Sequence, residues 1–194
     1  MPLFRRKNLN ILFIHIPKTA GTYVCKNFEQ RGFQLVEPLG KIIGHVTMQH
    51  MLARHAVERY RSYDIAKVFC IVRNPVHRLV SECNYYDWRH PYGEEINSCV
   101  QHMFDSYRMR TPVYRDNHIR PQSDFINEET IIFKYEEGVD AAINQLFSDI
   151  DGESIHNGTP VKVSKIRYNT EQLSSNSLDM IREFYKEDFD RFQY

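Results

Sequence analysis

Ile11-Leu12-Phe13-Ile14-His15-Ile16-Pro17-Lys18-Thr19-Ala20-Gly21-Thr22 is the stretch that decides how this chain folds. The run from Leu9 to His15 is short, continuous and rich in Ile, Leu and Phe, the pattern of a strand buried on both faces. Pro17 ends it. From Ala20 to Arg31 the apolar period becomes helical, with Gly21, Val24, Cys25 and Phe28 at i, i+3, i+4 and i+7. Gly32 stands where such a helix stops. Strand, small-residue turn and helix together form a phosphate holder. The helix start presents unpaired N–H groups and the positive end of its dipole. Lys18 adds a charge, and Thr19 and Thr22 add hydroxyls.

A second unit of the same kind begins at Ala66. Val68 to Val72 is continuously apolar and ends in Arg73-Asn74-Pro75, where Asn74 suits an N-cap and Pro75 a first helical position. The helix after it has two faces. Val76, Leu79, Val80 and Cys83 point one way, and Asn74, His77, Arg78 and Ser81 the other. Arg73 and Ser81 can therefore both face a ligand at the strand's carboxyl end. Phe33–Val36 and Thr130–Lys134 read as further strands. Thr47 to Tyr60 reads as a helix, as do the stripe Val139, Ala142, Ile143, Leu146, Phe147, Ile150 and a final segment capped near Ser174. Strands alternating with helices predict an α/β fold, a single domain over residues 1–194 with a parallel β-sheet flanked by helices. Ligands of such sheets bind outside the carboxyl ends of the strands. The turns Pro17–Thr22 and Arg73–Ser81 are thus expected to converge.

Composition narrows the function classes. A formal net charge of zero argues against a general polyanion-binding field and hence against nucleic acid as a partner, so any anion site must be local. No apolar run approaches the roughly 20 residues of a membrane span, and the N-terminal residues lack the apolar core of a signal peptide. Cys25, Cys70, Cys83 and Cys99 show no C-x-x-C spacing, and most fall in apolar runs, as reduced core cysteines do. A cytoplasmic, reducing location is expected. His45, His50 and His55 do not share a helix face, because a spacing of five turns the helix by about 140°. No metal site is read from them.

Two of these motifs resemble a known family. Ile14-His15-Ile16-Pro17-Lys18-Thr19-Ala20-Gly21-Thr22 is similar to the 5′-phosphosulfate loop of sulfotransferases, in the form found in the carbohydrate branch. Phe69 to Ser81 resembles the family's 3′-phosphate element, Arg-x-Pro followed by a serine. His118-Ile119-Arg120-Pro121-Gln122 is similar to a His-x-x-Pro loop of carbohydrate sulfotransferases, and Tyr185-x-x-Asp188-Phe189-x-x-Phe192 to the closing helix. The resemblance implies the sulfotransferase fold, a P-loop-like turn and 3′-phosphoadenosine 5′-phosphosulfate as donor, with no metal. It would place the 5′-phosphosulfate on Pro17, Lys18, Thr19, Ala20, Gly21 and Thr22, and the 3′-phosphate on Arg73 and Ser81. Transfer would go to a hydroxyl of a carbohydrate. Lys18 is the expected stabiliser of the leaving phosphate. Gly44-His45-Val46 resembles the segment carrying the proposed base of uronyl 2-O-sulfotransferases, so His45 is the expected base and Glu37 the fallback. His118, Gln122 and Glu37 are the candidate acceptor contacts. Val163 to Asn169 is the candidate cover for the nucleotide.

The competing readings are a P-loop nucleotide kinase and an inactive nucleotide-binding module. Gly-x-x-x-x-Gly-Lys-Ser/Thr is missing, since Lys18 precedes Gly21. The second strand also ends in Arg73, where a kinase needs an acid for Mg²⁺.

Overall fold

The computed structural model describes residues 1–85, 95–109, 115–151 and 167–194. Its sheet contains β1 (Leu3–Arg6), β2 (Leu9–Ile14), β3 (Gln34–Leu35), β6 (Ile65–Val72) and β7 (Ile131–Lys134), in the order β3-β1-β2-β6-β7. The pairs β2–β6 and β6–β7 are parallel. The sheet as a whole is mixed, because β1 runs antiparallel to both β2 and β3. Sequence periodicity missed β1, whose four residues include only Leu3 and Phe4 as apolar signal. Arg5 and Arg6 lie in this strand and stack on aromatic rings. The Arg5 guanidinium is 4.9 Å from the Tyr63 ring centre and that of Arg6 4.7 Å from Phe33.

Alternation along β2 and β6 buries both faces of the sheet. Leu12, Ile14, Cys70 and Val72 pack with Ala53, Ala56, Phe125 and Phe192. These bring α2 (Ala53–Arg59) and α7 (Lys186–Phe192) to one face. Ile11, Phe13, Phe69 and Ile71 pack on the other face with Val24, Phe28, Ile143 and Phe147, from α1 (Gly21–Gln30) and α5 (Val139–Asp151). Each fully buried Phe of this layer contributes roughly 1.5–3 kcal/mol. Beyond the carboxyl ends of the strands, α3 (Pro75–Tyr85), α4 (Ile96–Met109) and α6 (Ser175–Phe184) close a separate apolar cluster around Leu79, Val100, Phe104 and Tyr185.

Several expected helices differ in extent. The segment Thr47–Tyr60 holds a 3₁₀ turn (Met48–His50) and α2, preceded by a small hairpin of β4 (Ile42–Ile43) and β5 (Val46–Thr47). The closing helix is two helices, α6 and α7, joined at Tyr185. Ser174 caps α6 by accepting from the Ser177 N–H. Gly32 ends α1 at φ +78°, a conformation that glycine adopts without strain. Trp88 and most of the stretch expected to cover the nucleotide, residues 163–166, lie outside the described residues. Among the described residues no helix is long and apolar enough to cross a membrane.

Candidate active site

The loop between β2 and α1 has an unusual backbone. Lys18 and Ala20 both lie in the left-handed region, at φ 69° each. Non-glycine residues hold such angles at a cost of about 1–3 kcal/mol each, and they cluster where function requires them. Thr19 braces the loop from inside. Its buried hydroxyl donates to the Ile16 carbonyl at 2.8 Å, so this side chain is a strut and only its backbone is free for a ligand. Gly21 is required by packing, since a Cβ there would stand 1.7 Å from Nε2 of His15. Ala20 caps α1 without a side-chain bond. The N–H groups of Ala20, Gly21 and Thr22 meet no backbone acceptor among the described residues. This is an open anion cradle of the kind a helix start provides.

The Lys18 ammonium, carried by the same loop, is turned onto Tyr85. It is 3.8 Å from the centre of the Tyr85 ring and has no carboxylate partner among the described residues. Burial lowers its pKa, the nearby Glu82 charge opposes that shift, and Arg73 adds to it. A half-buried cation without a counter-ion is stabilised by an arriving anion.

Arg73 joins this loop from the end of β6. One Nη1–H donates to the Lys18 carbonyl at 3.3 Å, and the guanidinium stacks over Tyr135 at 4.4 Å. Its Nε is buried and has no partner among the described residues. Asn74 caps α3 as expected, accepting from the N–H groups of Val76 (3.0 Å) and His77 (3.3 Å). Ser81 is half-buried, about two turns further along α3.

Two side chains on this side have roles the sequence misassigned. Arg78 was placed on the ligand-facing side of α3, yet it is 2% exposed. It donates from Nε to the Pro17 carbonyl (3.1 Å) and from Nη2 to those of His118 (2.9 Å) and Arg120 (2.8 Å). It ties the phosphate loop to the 115–123 loop. Gln122 was read as an acceptor contact, but it is fully buried. Its Oε1 accepts from the Arg73 N–H at 2.9 Å, and its Nε2 donates to the Arg73 carbonyl at 2.8 Å. Both amide ends are engaged and the side chain has no exposed surface, so Gln122 holds the Arg73 backbone and does not reach a ligand. Asp188 in turn accepts from the N–H groups of Gln122 and Ser123, each at 2.8 Å. Gln122→Ala is expected to lower stability by about 1–3 kcal/mol, the usual cost of leaving buried polar groups unpaired. Urea unfolding measures this; a midpoint unchanged from wild type would contradict it.

A row of histidines runs from the end of β2 to the 115–123 loop. The ring centres of His15 and His50 are 4.9 Å apart, as are those of His50 and His118, each pair edge to face. His118 Nδ1 is 2.8 Å from Oε2 of Glu82, a carboxylate only 1% exposed. His50 Nδ1 is 2.7 Å from Oδ2 of Asp116. Burial lowers the His50 pKa, against the pull of Asp116. Burial raises that of Asp116, but its bonds to His50 and Thr47 outweigh this and hold it low. His15 is a packed strand-end residue, as expected, stacked on Phe13 and held neutral by burial. Tyr85 stacks on His118 at 5.9 Å with its ring under Lys18.

His50, Asp116 and His118 are able to hold a metal ion, their ligand atoms lying within 4.8 Å of one another. Both Asp116 oxygens already accept hydrogen bonds, from the Thr47 N–H and hydroxyl at 2.6 Å each and from His50. A cation would have to displace some of these.

The structure thus brings together Pro17, Lys18, Thr19, Ala20, Gly21, Arg73 and His118, with Thr22 and Ser81 on the adjoining helices. It does not bring Glu37 or His45 to them by any contact among the described residues. Glu37 is bonded to Arg59 and Lys41, and the Arg59 bond above all holds its carboxyl down to about 2, which makes it a weak base. His45 is exposed in the β4–β5 turn. Sequence reasoning passed over Glu82, Asp116 and Tyr85. The one local signal was the i, i+4 spacing of Arg78 and Glu82, which sets both on one face of α3.

No curated protein and no solved structure matches the chain. The model of the sulfotransferase family matches it over residues 1–194, and the chain belongs to that family.

Proposed function

We propose that this sulfotransferase moves the sulfuryl group of 3′-phosphoadenosine 5′-phosphosulfate to a hydroxyl of a carbohydrate. The observation that carries the donor reading is Lys18: a half-buried ammonium with no carboxylate partner among the described residues, on a strained loop whose N–H groups are open. The second anion point is Arg73, whose buried Nε lacks a partner among the described residues and whose guanidinium touches the same loop. Two anion points joined by one backbone contact suit a nucleotide with phosphates at both ends of its ribose. In this reading the 5′-phosphosulfate lies on Lys18 and the N–H groups of Thr19 to Thr22. The 3′-phosphate lies on Arg73 and Ser81.

The acceptor oxygen attacks sulfur in line with the departing phosphate, so positioning and charge neutralisation dominate the rate. Lys18 neutralises the charge that grows on the bridging oxygen. His118 faces the acceptor in this reading, and a histidine of the site takes its proton. The buried cysteines Cys25, Cys70, Cys83 and Cys99 fit the reducing cytoplasm proposed as the location.

Incubating the protein with ³⁵S-labelled donor and a panel of acidic and neutral polysaccharides tests the function. Label in polysaccharide is the expected result, and no incorporation across the panel would count against the carbohydrate acceptor. Arg73→Ala is expected to weaken adenosine 3′,5′-bisphosphate binding about 10–100-fold, the worth of charge-assisted hydrogen bonds of about 1.5–3 kcal/mol. Calorimetry measures this, and unchanged affinity would remove Arg73 from the donor site.

A further inference from the structure

We infer that the general base is His118, held in position by the buried Glu82 carboxylate, rather than the exposed His45. The inference rests on the sulfuryl-transfer reading above. Geometry separates the two histidines. His45 occupies an exposed turn and has no hydrogen bond among the described residues. His118 is stacked on Tyr85, the same ring that lies 3.8 Å beneath the Lys18 ammonium. The group that receives the proton and the group that stabilises the leaving phosphate therefore flank one side chain.

The backbone around His118 is built for aim. Arg115, Asp116 and Asn117 lie in the left-handed region at φ 50°, 56° and 64°. The turn is pinned from three sides. Asp116 is bonded to Thr47 and His50, and the Asn117 amide donates to the His50 carbonyl at 2.9 Å. The His118 carbonyl accepts from Arg78, the same guanidinium that holds the Pro17 carbonyl. Loop and phosphate cradle thus share a tie, and His118 is fixed relative to Lys18.

Glu82 fixes the tautomer. Its Oε2 accepts from Nδ1 of His118, which leaves Nε2 as the acceptor on a neutral ring. Its Oε1 is buried and has no partner among the described residues, so the imidazole is the one hydrogen-bond donor this carboxylate has there. When the acceptor O–H gives its proton to Nε2, the ring becomes an imidazolium against Glu82, and that pairing stabilises the charge. The new O–S bond forms as the S–O bond to the 5′-phosphate breaks, and the electron pair leaves with adenosine 3′,5′-bisphosphate. His118 is the catalytic residue in this account and Glu82 a positioning residue.

The test compares donor turnover by wild type, His118→Ala, Glu82→Gln and His45→Ala, using the most active polysaccharide and, without one, water as acceptor. Bisphosphate affinity is measured alongside. His118→Ala is expected to lose about 10²–10⁴-fold in kcat at unchanged bisphosphate affinity, with part of the rate restored by added imidazole. Glu82→Gln keeps the shape of the side chain and is expected to lower kcat while leaving KM for donor unchanged, a split that a merely structural role would not give. His45→Ala is expected to stay within about threefold of wild type, well short of the loss that removing a general base brings. Wild-type kcat in His118→Ala, or a large loss confined to His45→Ala, would overturn the assignment alone. A wild-type protein that neither binds bisphosphate nor turns over donor would overturn the donor reading, and this one with it.

Discussion

Lys18→Ala is expected to lower kcat about 10²–10³-fold, the usual effect of removing one preorganised charge from a developing anion. The reason lies in where the ammonium stands before donor arrives. It is half-buried and touches an aromatic ring, and it meets no carboxylate among the described residues. Burial lowers its pKa, and the charge of Glu82 opposes that shift. A phosphosulfate on the adjacent N–H groups supplies the missing anion and favours the charged amine. That interaction strengthens as the bridging oxygen gains charge, so the loss should fall on kcat more than on KM. Lys18→Arg should not restore the rate, because a planar guanidinium cannot take the place of a compact ammonium at one oxygen. Steady-state kinetics with labelled donor decides this; a Lys18→Ala enzyme with wild-type kcat would remove Lys18 from the transition state.

The second large effect is expected on stability. Arg78→Ala should cost about 3–5 kcal/mol, because three carbonyls, two of them in fully buried bonds, lose their donor together and each orphaned buried group costs roughly 1–3 kcal/mol. Among the described residues the guanidinium has no carboxylate in contact, so it is held by carbonyl dipoles and by the ring of Tyr185 at 5.6 Å. Arg78→Lys should recover little, since one ammonium cannot reach Pro17, His118 and Arg120 in the same geometry. Chemical denaturation gives the figure. A loss below about 1 kcal/mol, no more than a single ordinary hydrogen bond, would mean that the loops hold their places without this residue.

The parts of this architecture that were legible in the sequence are the local ones. The strand into Pro17, the helix face Gly21-Val24-Cys25-Phe28, the Asn74 cap and the Ser174 cap each repeat within a few residues, and periodicity or capping chemistry reveals them. The convergence of the Lys18 and Arg73 loops followed from adjacent parallel strands. What escaped is long-range. Glu82 and His118 are 36 residues apart, Arg73 and Gln122 49, and His50 and Asp116 66, and no local pattern joins such pairs. Arg78 misled for a related reason. Its charge placed it on the wet face of α3, whereas loops from two distant parts of the chain supply the carbonyls that bury it. The edge strand β1 was missed because two apolar residues are too few to show alternation.

The central claim is that Lys18 and Arg73 hold the two ends of one donor nucleotide. Isothermal titration of adenosine 3′,5′-bisphosphate into the protein without magnesium tests it most directly. Micromolar binding that weakens in both Lys18→Ala and Arg73→Ala is the predicted result. Magnesium-dependent ATP binding with no affinity for the bisphosphate would contradict it.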